Sequence, residues 1–249
     1  MDQKTSSSYL ARMGKTGKLY LIPTPLGEEG MHVLPQYLLD VLHNIKVLIA
    51  ERPKTARHFM KASGFPHPLQ EVTYFELNKR TSPEEFADFL APALSGQDTG
   101  LVSEAGSPGV ADPGAAIVNL AHKKGIEVVP LVGPSSILLA LMASGMNGQS
   151  FAFHGYLPQK RPELVRELKR LEQMAIKHDQ TQLFIETPYR NMGLIETTLQ
   201  TLQNSTQFCV AADLTLPSQY ILTKSVAEWK KAGPPNLHKR PAIFLIFHK

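Results

Sequence analysis

Leu101-Val102-Ser103-Glu104-Ala105-Gly106-Ser107-Pro108-Gly109-Val110-Ala111-Asp112-Pro113-Gly114 is the run from which the rest of this 249-residue chain is best read. Its front, Thr99 to Ser103, is a short apolar segment that reads as a buried strand. Its back, from Pro113 through Ala115, Ala116, Ile117, Val118 and Leu120, has the spacing of an amphipathic helix. Asp112 falls where an N-cap belongs and Pro113 at the first helical position, where a missing N–H costs nothing. Three glycines and two prolines crowd the nine residues 106–114. Such a loop gives up side chains so that main chain can come close to something, and proline limits its wander. Past the carboxyl end of a strand in an α/β sheet, that something is a ligand by default. The spacing G-x-x-G-x-x-x-x-G matches neither the dinucleotide fingerprint nor a phosphate-binding P-loop. This argues against NAD and ATP and leaves another nucleotide-like ligand.

Outward from the loop, apolar strands alternate with helical spacing. Lys18 to Pro23 is a strand leaving into the stiff turn Pro23-Thr24-Pro25-Leu26-Gly27, and Val33 to Val41 is a helix. Val47 to Ala50 is a second strand ending at Glu51, with a helix from Pro53 to Met60. Thr73 to Phe75 and Glu127 to Leu131 are further strands, Pro83 to Leu94 a helix. Repeated β-α units with short connections imply a parallel sheet covered on both faces, with ligand loops gathered at one edge. The second half holds helices at 135–144, 162–178 and 192–202 and strands at 151–156, 183–186 and 208–212. Gln219 to Thr223 and Ile243 to Phe247 are expected to pair antiparallel, making this sheet mixed. The fold class is therefore α/β with two α/β domains, at 17–132 and 133–249, after a flexible tail at 1–16.

Hydrophobic residues make up 43% and charged residues 19%, an ordinary globular composition. The single Cys209, in an apolar run, reads as a small buried hydrophobe and fits a cytoplasmic location. Residues 1–132 carry 13 Lys and Arg against 14 Asp and Glu, whereas 133–249 carry 13 against 8. Basic charge gathered in one half hints at a polyanionic partner. Lys160 and Arg161, ahead of a helix that also carries Arg166, Lys169 and Arg170, are placed to hold phosphates. The nine histidines show no metal-ligand spacing, and no nucleophile motif appears. What remains is carboxylates at strand ends: Glu51, Glu104 inside the glycine loop, and Glu186 with Arg190 four residues on.

Leu21-Ile22-Pro23-Thr24-Pro25-Leu26-Gly27, Ile49-Ala50-Glu51, Leu101 to Gly114, Pro130 to Ser136, Gly155-Tyr156-Leu157-Pro158 and Glu186-Thr187-Pro188-Tyr189-Arg190 occur in that order. Together they resemble the tetrapyrrole-methylase superfamily of class III S-adenosylmethionine methyltransferases, and within it the ribosomal RNA small-subunit methyltransferase I branch. The resemblance implies a homodimeric enzyme that takes S-adenosyl-L-methionine and 2′-O-methylates a cytidine of 16S rRNA. It implies cofactor contacts at Pro25, Gly27, Ser103, Glu104, Ala105, Gly106, Gly109, Val110, Ser135, Ala212, Pro241 and Ala242. It places Glu51, Arg57, Lys160, Glu186 and Arg190 on the substrate side. Beside the resemblance, Arg161 is read with Lys160 as a substrate contact, and Glu51, Glu104 or Glu186 as the carboxylate that takes or orients the acceptor proton, with Arg190 beside Glu186. Where the branch reads A-E-D-T-R this chain has Ala50-Glu51-Arg52-Pro53-Lys54-Thr55, and where it reads R-E-L-T-K this chain has Ala212-Asp213-Leu214-Thr215-Leu216. A tetrapyrrole or other small acceptor, or a cofactor-binding chain without catalysis, are the rival readings.

Overall fold

The computed structural model describes residues 16–248, so the expected tail at 1–16 lies almost wholly outside the described residues. The chain divides into two compact units, with the change falling between Pro134 and Ser135.

The first unit is a five-stranded sheet of β1 (Lys18–Ile22), β2 (Val47–Ala50), β3 (Thr73–Glu76), β4 (Thr99–Val102) and β5 (Glu127–Pro130), in the order β3-β2-β4-β1-β5. Every pairing is parallel. Four helices connect the strands: α1 (Gln36–Leu42), α2 (Pro53–Ala62), α3 (Phe86–Leu94) and α4 (Gly114–Lys123), with a 3-10 turn at Glu28–Val33. Successive side chains of a strand point to opposite faces, and the core divides accordingly. Leu48 and Ala50 pack with Leu38, Phe59 and Met60 of α1 and α2. Ile49 and Leu101 pack with Leu90, Ala93, Ile117 and Ala121 of α3 and α4.

The strand order creates the place where the site is built. β1 and β4 are neighbours, but the chain leaving β1 goes to β2 on one side, while the chain leaving β4 goes to β5 on the other. Loops that part from adjacent strands leave a crevice at their carboxyl ends, where open α/β sheets bind ligands. Pro23–Gly27 and the glycine loop are those two departures.

In the second unit β6 (Phe151–Tyr156), β7 (Thr181–Ile185), β8 (Gln207–Ala212), β9 (Tyr220–Ser225) and β10 (Ala242–Phe247) are ordered β6-β7-β10-β8-β9. Only β6 and β7 run parallel; the other pairings are antiparallel, so the sheet is mixed. The expected pairing of 219–223 with 243–247 does not occur. Both strands pair with β8 instead, on its two sides. The reason is burial: all six residues of β10 are buried, and such a run needs a ladder partner on each edge.

α6 (Arg161–His178), α7 (Asn191–Thr201) and α8 (Val226–Ala232) cover one face of this sheet with Leu168, Leu171, Ile195 and Trp229. Beneath them Phe184, Phe244 and Phe208 stack in a row with centroids 6.0 Å apart, and Trp229 Nε1 donates to the Phe208 carbonyl at 2.8 Å. α5 (Ser136–Ser144) packs on the other face. Cys209 is fully buried and its thiol is pushed up to about 11 by desolvation, which leaves it a packing residue. Among the described residues no helix is long and apolar enough to cross a membrane.

Phe244 is fully buried at the centre of the aromatic row, stacked on both Phe184 and Phe208. Phe244→Ala is expected to lower stability by about 3–5 kcal/mol in urea titrations, as large-to-small core changes do.

Candidate active site

The two loops at the switch point are fastened to each other by main chain. The Thr24 N–H donates to the Gly106 carbonyl at 2.9 Å, and the Gly106 N–H donates back to the Thr24 carbonyl at 3.1 Å. Gly106 has φ +79, a left-handed conformation that a side chain resists, and an added Cβ would lie 3.1 Å from Leu26. Ser103 completes the closure: its hydroxyl donates to the Gly106 carbonyl at 2.7 Å, and Thr24 Oγ1 donates to the Ser103 carbonyl at 3.3 Å. The Ser103 hydroxyl is therefore committed to holding the loop. Farther along, Asp112 Oδ1 accepts from the N–H groups of Gly109 and Gly114, both at 2.8 Å. Asp112 thus does the work expected of a cap, although α4 begins only at Gly114 with Pro113 in the N-cap position.

A cavity of about 680 Å³ opens against these loops, within the size range of small-molecule sites. Its walls include Pro25, Gly27, Ser103, Glu104 and Ala105, all expected from sequence, together with Met31, Arg52, Lys54, Thr55, His58 and Phe59, which were not. The added residues come mostly from one face of α2, spaced by three and four positions. That phase also explains why Arg57 is absent from the walls. It falls on a different face, and its guanidinium stacks 4.5 Å above the Tyr74 ring. Gly109 and the half-exposed Val110 belong to the loop but do not line the cavity.

Glu104 is the carboxylate that the glycine loop contributes to the cavity, whose wall also includes Glu28. Thr55 Oγ1 donates to Glu104 at 3.2 Å, and Arg52 reaches it at 3.9 Å. Burial pushes its carboxyl above the ordinary glutamate range, the Thr55 hydroxyl and Arg52 pull the other way, and the Glu51 charge adds to the rise. Glu51 itself lines a tight crevice of about 10 Å³ with Ser103, Asp112 and Gly114, beside the cavity. Asp112 is likewise raised, by burial first, with Glu51 contributing.

The antiparallel register of the second unit brings the start of β10 to the ends of β7 and β8. Ala212, Pro241 and Ala242 therefore share an edge with Glu186 and Arg190. Glu186 is buried, paired with Arg190 and bonded by the Thr187 N–H at 2.6 Å. Ser135 occupies the N-cap position of α5, yet its hydroxyl makes no capping bond. Lys160 and Arg161 lie at the start of α6. Lys160 pairs loosely with Glu163 at 3.8 Å and Arg161 bonds Gln200, the latter already inside the helix rather than before it. Arg170 is tied to Glu167 at 2.6 Å, so this helix face is solvated surface. Among the described residues no three of His, Cys, Asp or Glu gather as a metal site would require.

A family model for tetrapyrrole (corrin/porphyrin) methylases matches residues 18–230. The chain belongs to this methylase family. It is 33% identical over 210 residues to the ribosomal RNA small subunit methyltransferase I of Vibrio cholerae, covering 84% of this chain and 69% of that one. It is 32% identical over 212 residues to the protein of the same name from Bacillus subtilis, covering 85% and 68%. Among solved structures, the uroporphyrin-III C-methyltransferase of Thermus thermophilus complexed with S-adenyl homocysteine superposes with a TM-score of 0.56 at 15% identity, over 93% of this chain and 97% of that one. That likeness is one of fold.

The segment that departs from the R-E-L-T-K pattern is held by residues from elsewhere in the second unit. Asp213 adopts φ +48, and its carboxylate accepts from Arg240 Nε at 2.7 Å and Ser218 Oγ at 2.9 Å. Arg240 thus brings a guanidinium to the edge where the pattern's arginine is missing. Nothing local in sequence signals it, because 27 residues separate the partners.

A carboxyl whose folded pKa lies above its unfolded one holds its proton better folded, so its ionisation costs stability as pH rises through that range. Glu104→Gln removes the cost. The variant is expected to melt about 1–2 °C higher at pH 7–8, a small effect because solvent screens a part-exposed group. The gain should vanish on acidification below the unfolded glutamate value of about 4.3. Circular-dichroism melts from pH 4 to pH 8 check it.

Proposed function

We propose that this methylase-family chain transfers a methyl group from S-adenosyl-L-methionine to a ribose 2′-hydroxyl of a cytidine in 16S rRNA. The observation that carries the reading is the cavity walled by the glycine loop and Pro25–Gly27, with one desolvated carboxylate inside it. The names of the Vibrio and Bacillus relatives supply the acceptor class. The donor set suits a zwitterionic nucleoside: Arg52 and Lys54 for a carboxylate, Glu104 for an ammonium or hydroxyl, Met31 and Phe59 for apolar rings. On the first unit Pro25, Gly27, Ser103 to Gly106, Gly109 and Val110 are assigned to the cofactor; on the second, Ser135, Ala212, Pro241 and Ala242. Ser103 serves through its main chain, since its hydroxyl is engaged.

When bound, the cofactor supplies a sulfonium-activated methyl, so the protein need not create a strong electrophile. The chain's own task is alignment of the acceptor oxygen for in-line attack, about 3–3.5 Å from the methyl carbon, and exclusion of water. As the oxygen–carbon bond forms and the carbon–sulfur pair leaves with sulfur, the hydroxyl proton must go to a base. Glu104 suits that role, because a raised carboxyl accepts a proton nearer neutral pH. Glu51, beside it, reinforces the rise. Glu186 and Arg190 are assigned to the acceptor, with Arg57, Lys160 and Arg161 as outlying contacts. The reading includes a cytoplasmic homodimer whose two domains span 17–132 and 133–249.

Labelled S-adenosylmethionine incubated with small ribosomal subunits lacking the modification tests the proposal. Label should appear in 16S rRNA as 2′-O-methylcytidine after nuclease digestion and mass spectrometry; cofactor uptake without RNA labelling contradicts it. Changing Glu51, Glu104 and Glu186 singly to Gln is expected to lower turnover, and calorimetric cofactor affinity should stay within about twofold in the Glu51 and Glu186 variants, which do not line the cavity. Glu104→Gln should show the largest loss, on the order of 100-fold. Unchanged rates in all three variants remove the carboxylate base.

A further inference from the structure

In the segment Glu186-Thr187-Pro188-Tyr189-Arg190 the mechanism above leaves the aromatic side chain of Tyr189 unused. Tyr189 is 70% exposed at the carboxyl end of β7. A single exposed aromatic is commonplace, but this one is framed. The His238 ring meets it edge-on at 6.0 Å and 77°, and Lys239 Nζ stands 6.0 Å from its centroid. The loop that supplies both is tied down on all sides. Lys239 N–H donates to the Pro188 carbonyl at 3.1 Å, Asn191 Nδ2 donates to the Arg240 carbonyl at 2.7 Å, and Arg240 Nη2 donates to the Ser218 carbonyl at 2.6 Å. Lys239 is held at φ +63, a conformation unfavourable for a residue with a side chain and kept only where surroundings impose it. The fold therefore holds Tyr189, His238 and Lys239 together rather than leaving them free on the surface.

A flat π-face with the Lys239 ammonium and the His238 ring beside it suits a ligand that is itself flat and carries negative charge alongside. An unstacked nucleobase with its phosphate has both properties, and single-stranded RNA is bound in this way by aromatic side chains among cations. A protein partner would ask for a broader apolar surface than one ring among charges. We propose that Tyr189, with His238 and Lys239, forms a nucleobase platform, the tyrosine ring stacking a base of the acceptor strand and Lys239 holding the adjoining phosphate. This rests on the RNA reading of the preceding subsection and adds to it the residues that grip the strand.

The test uses the full-length protein, a fluorescein-labelled cytidine-rich RNA 12-mer, and intact small ribosomal subunits. Tyr189→Ala should weaken binding of the oligonucleotide about tenfold or more, while Tyr189→Phe and Tyr189→Trp stay within about threefold of the parent. Lys239→Ala should weaken it less and reduce the slope of log affinity against log salt by roughly one. Calorimetric binding of S-adenosylhomocysteine should be unchanged in all four variants, which reports that they fold. Parental RNA affinity in Tyr189→Ala, or a Phe variant as weak as Ala, overturns the platform and leaves the RNA reading standing. A parent protein that takes the nucleoside but neither RNA nor subunits overturns both. Loss of subunit binding with the oligonucleotide unaffected assigns the patch to a protein surface and overturns the platform.

Discussion

Two reciprocal main-chain hydrogen bonds, between Thr24 and Gly106, are the constraint on which the rest of the first unit's site depends. They join loops that β1 and β4 send in opposite directions, and without them the switch point would be an open gap between flexible segments. The bonds dictate sequence in turn. Gly106 must turn left-handed beneath Leu26, and Ser103 must spend its hydroxyl inside the loop. Gly133 is bound by the same geometry, since an added Cβ would sit 2.3 Å from Pro23. On the glycine-loop wall of the cavity the chain consequently presents main chain and short side chains, with Glu104 the single acid of that loop to line it.

That economy sets the chemistry. A strongly activated donor asks for position and a proton acceptor rather than a nucleophile, and the first unit offers a rigid frame plus one carboxylate kept part-desolvated. Arg52, at the N-cap of α2, moderates the acid without neutralising it: it remains 3.9 Å away, and burial still outweighs its pull. In the second unit the balance is reversed. Glu186 is buried with a guanidinium against it, and Lys239 stands beside the exposed Tyr189 ring.

The β-α alternation was legible because apolar strands, prolines and glycines punctuate the chain locally, and a helix or strand is a local object. The parallel sheet followed, since short crossovers leave little choice. Pairing in the second sheet was not legible: β9 and β10 look like partners in sequence, but the burial of β10 places β8 between them. At the site, residues on the glycine loop and the Pro25 turn could be named because their backbone demands show in residue type. Lys54, Thr55 and His58 were missed, and Arg57 was assigned to substrate instead, for want of the rotational phase of α2. Asp213 and Arg240, 27 residues apart, are brought together only by the register of β8 against β10.

Amide hydrogen exchange with and without S-adenosylhomocysteine tests most directly whether the fastened loops hold the nucleoside by main chain. The account predicts slowed exchange concentrated in residues 23–27 and 103–110 of the first unit, with little change in α3, on the sheet face away from the cavity. Protection confined to other segments, with these two loops exchanging as before, would contradict it.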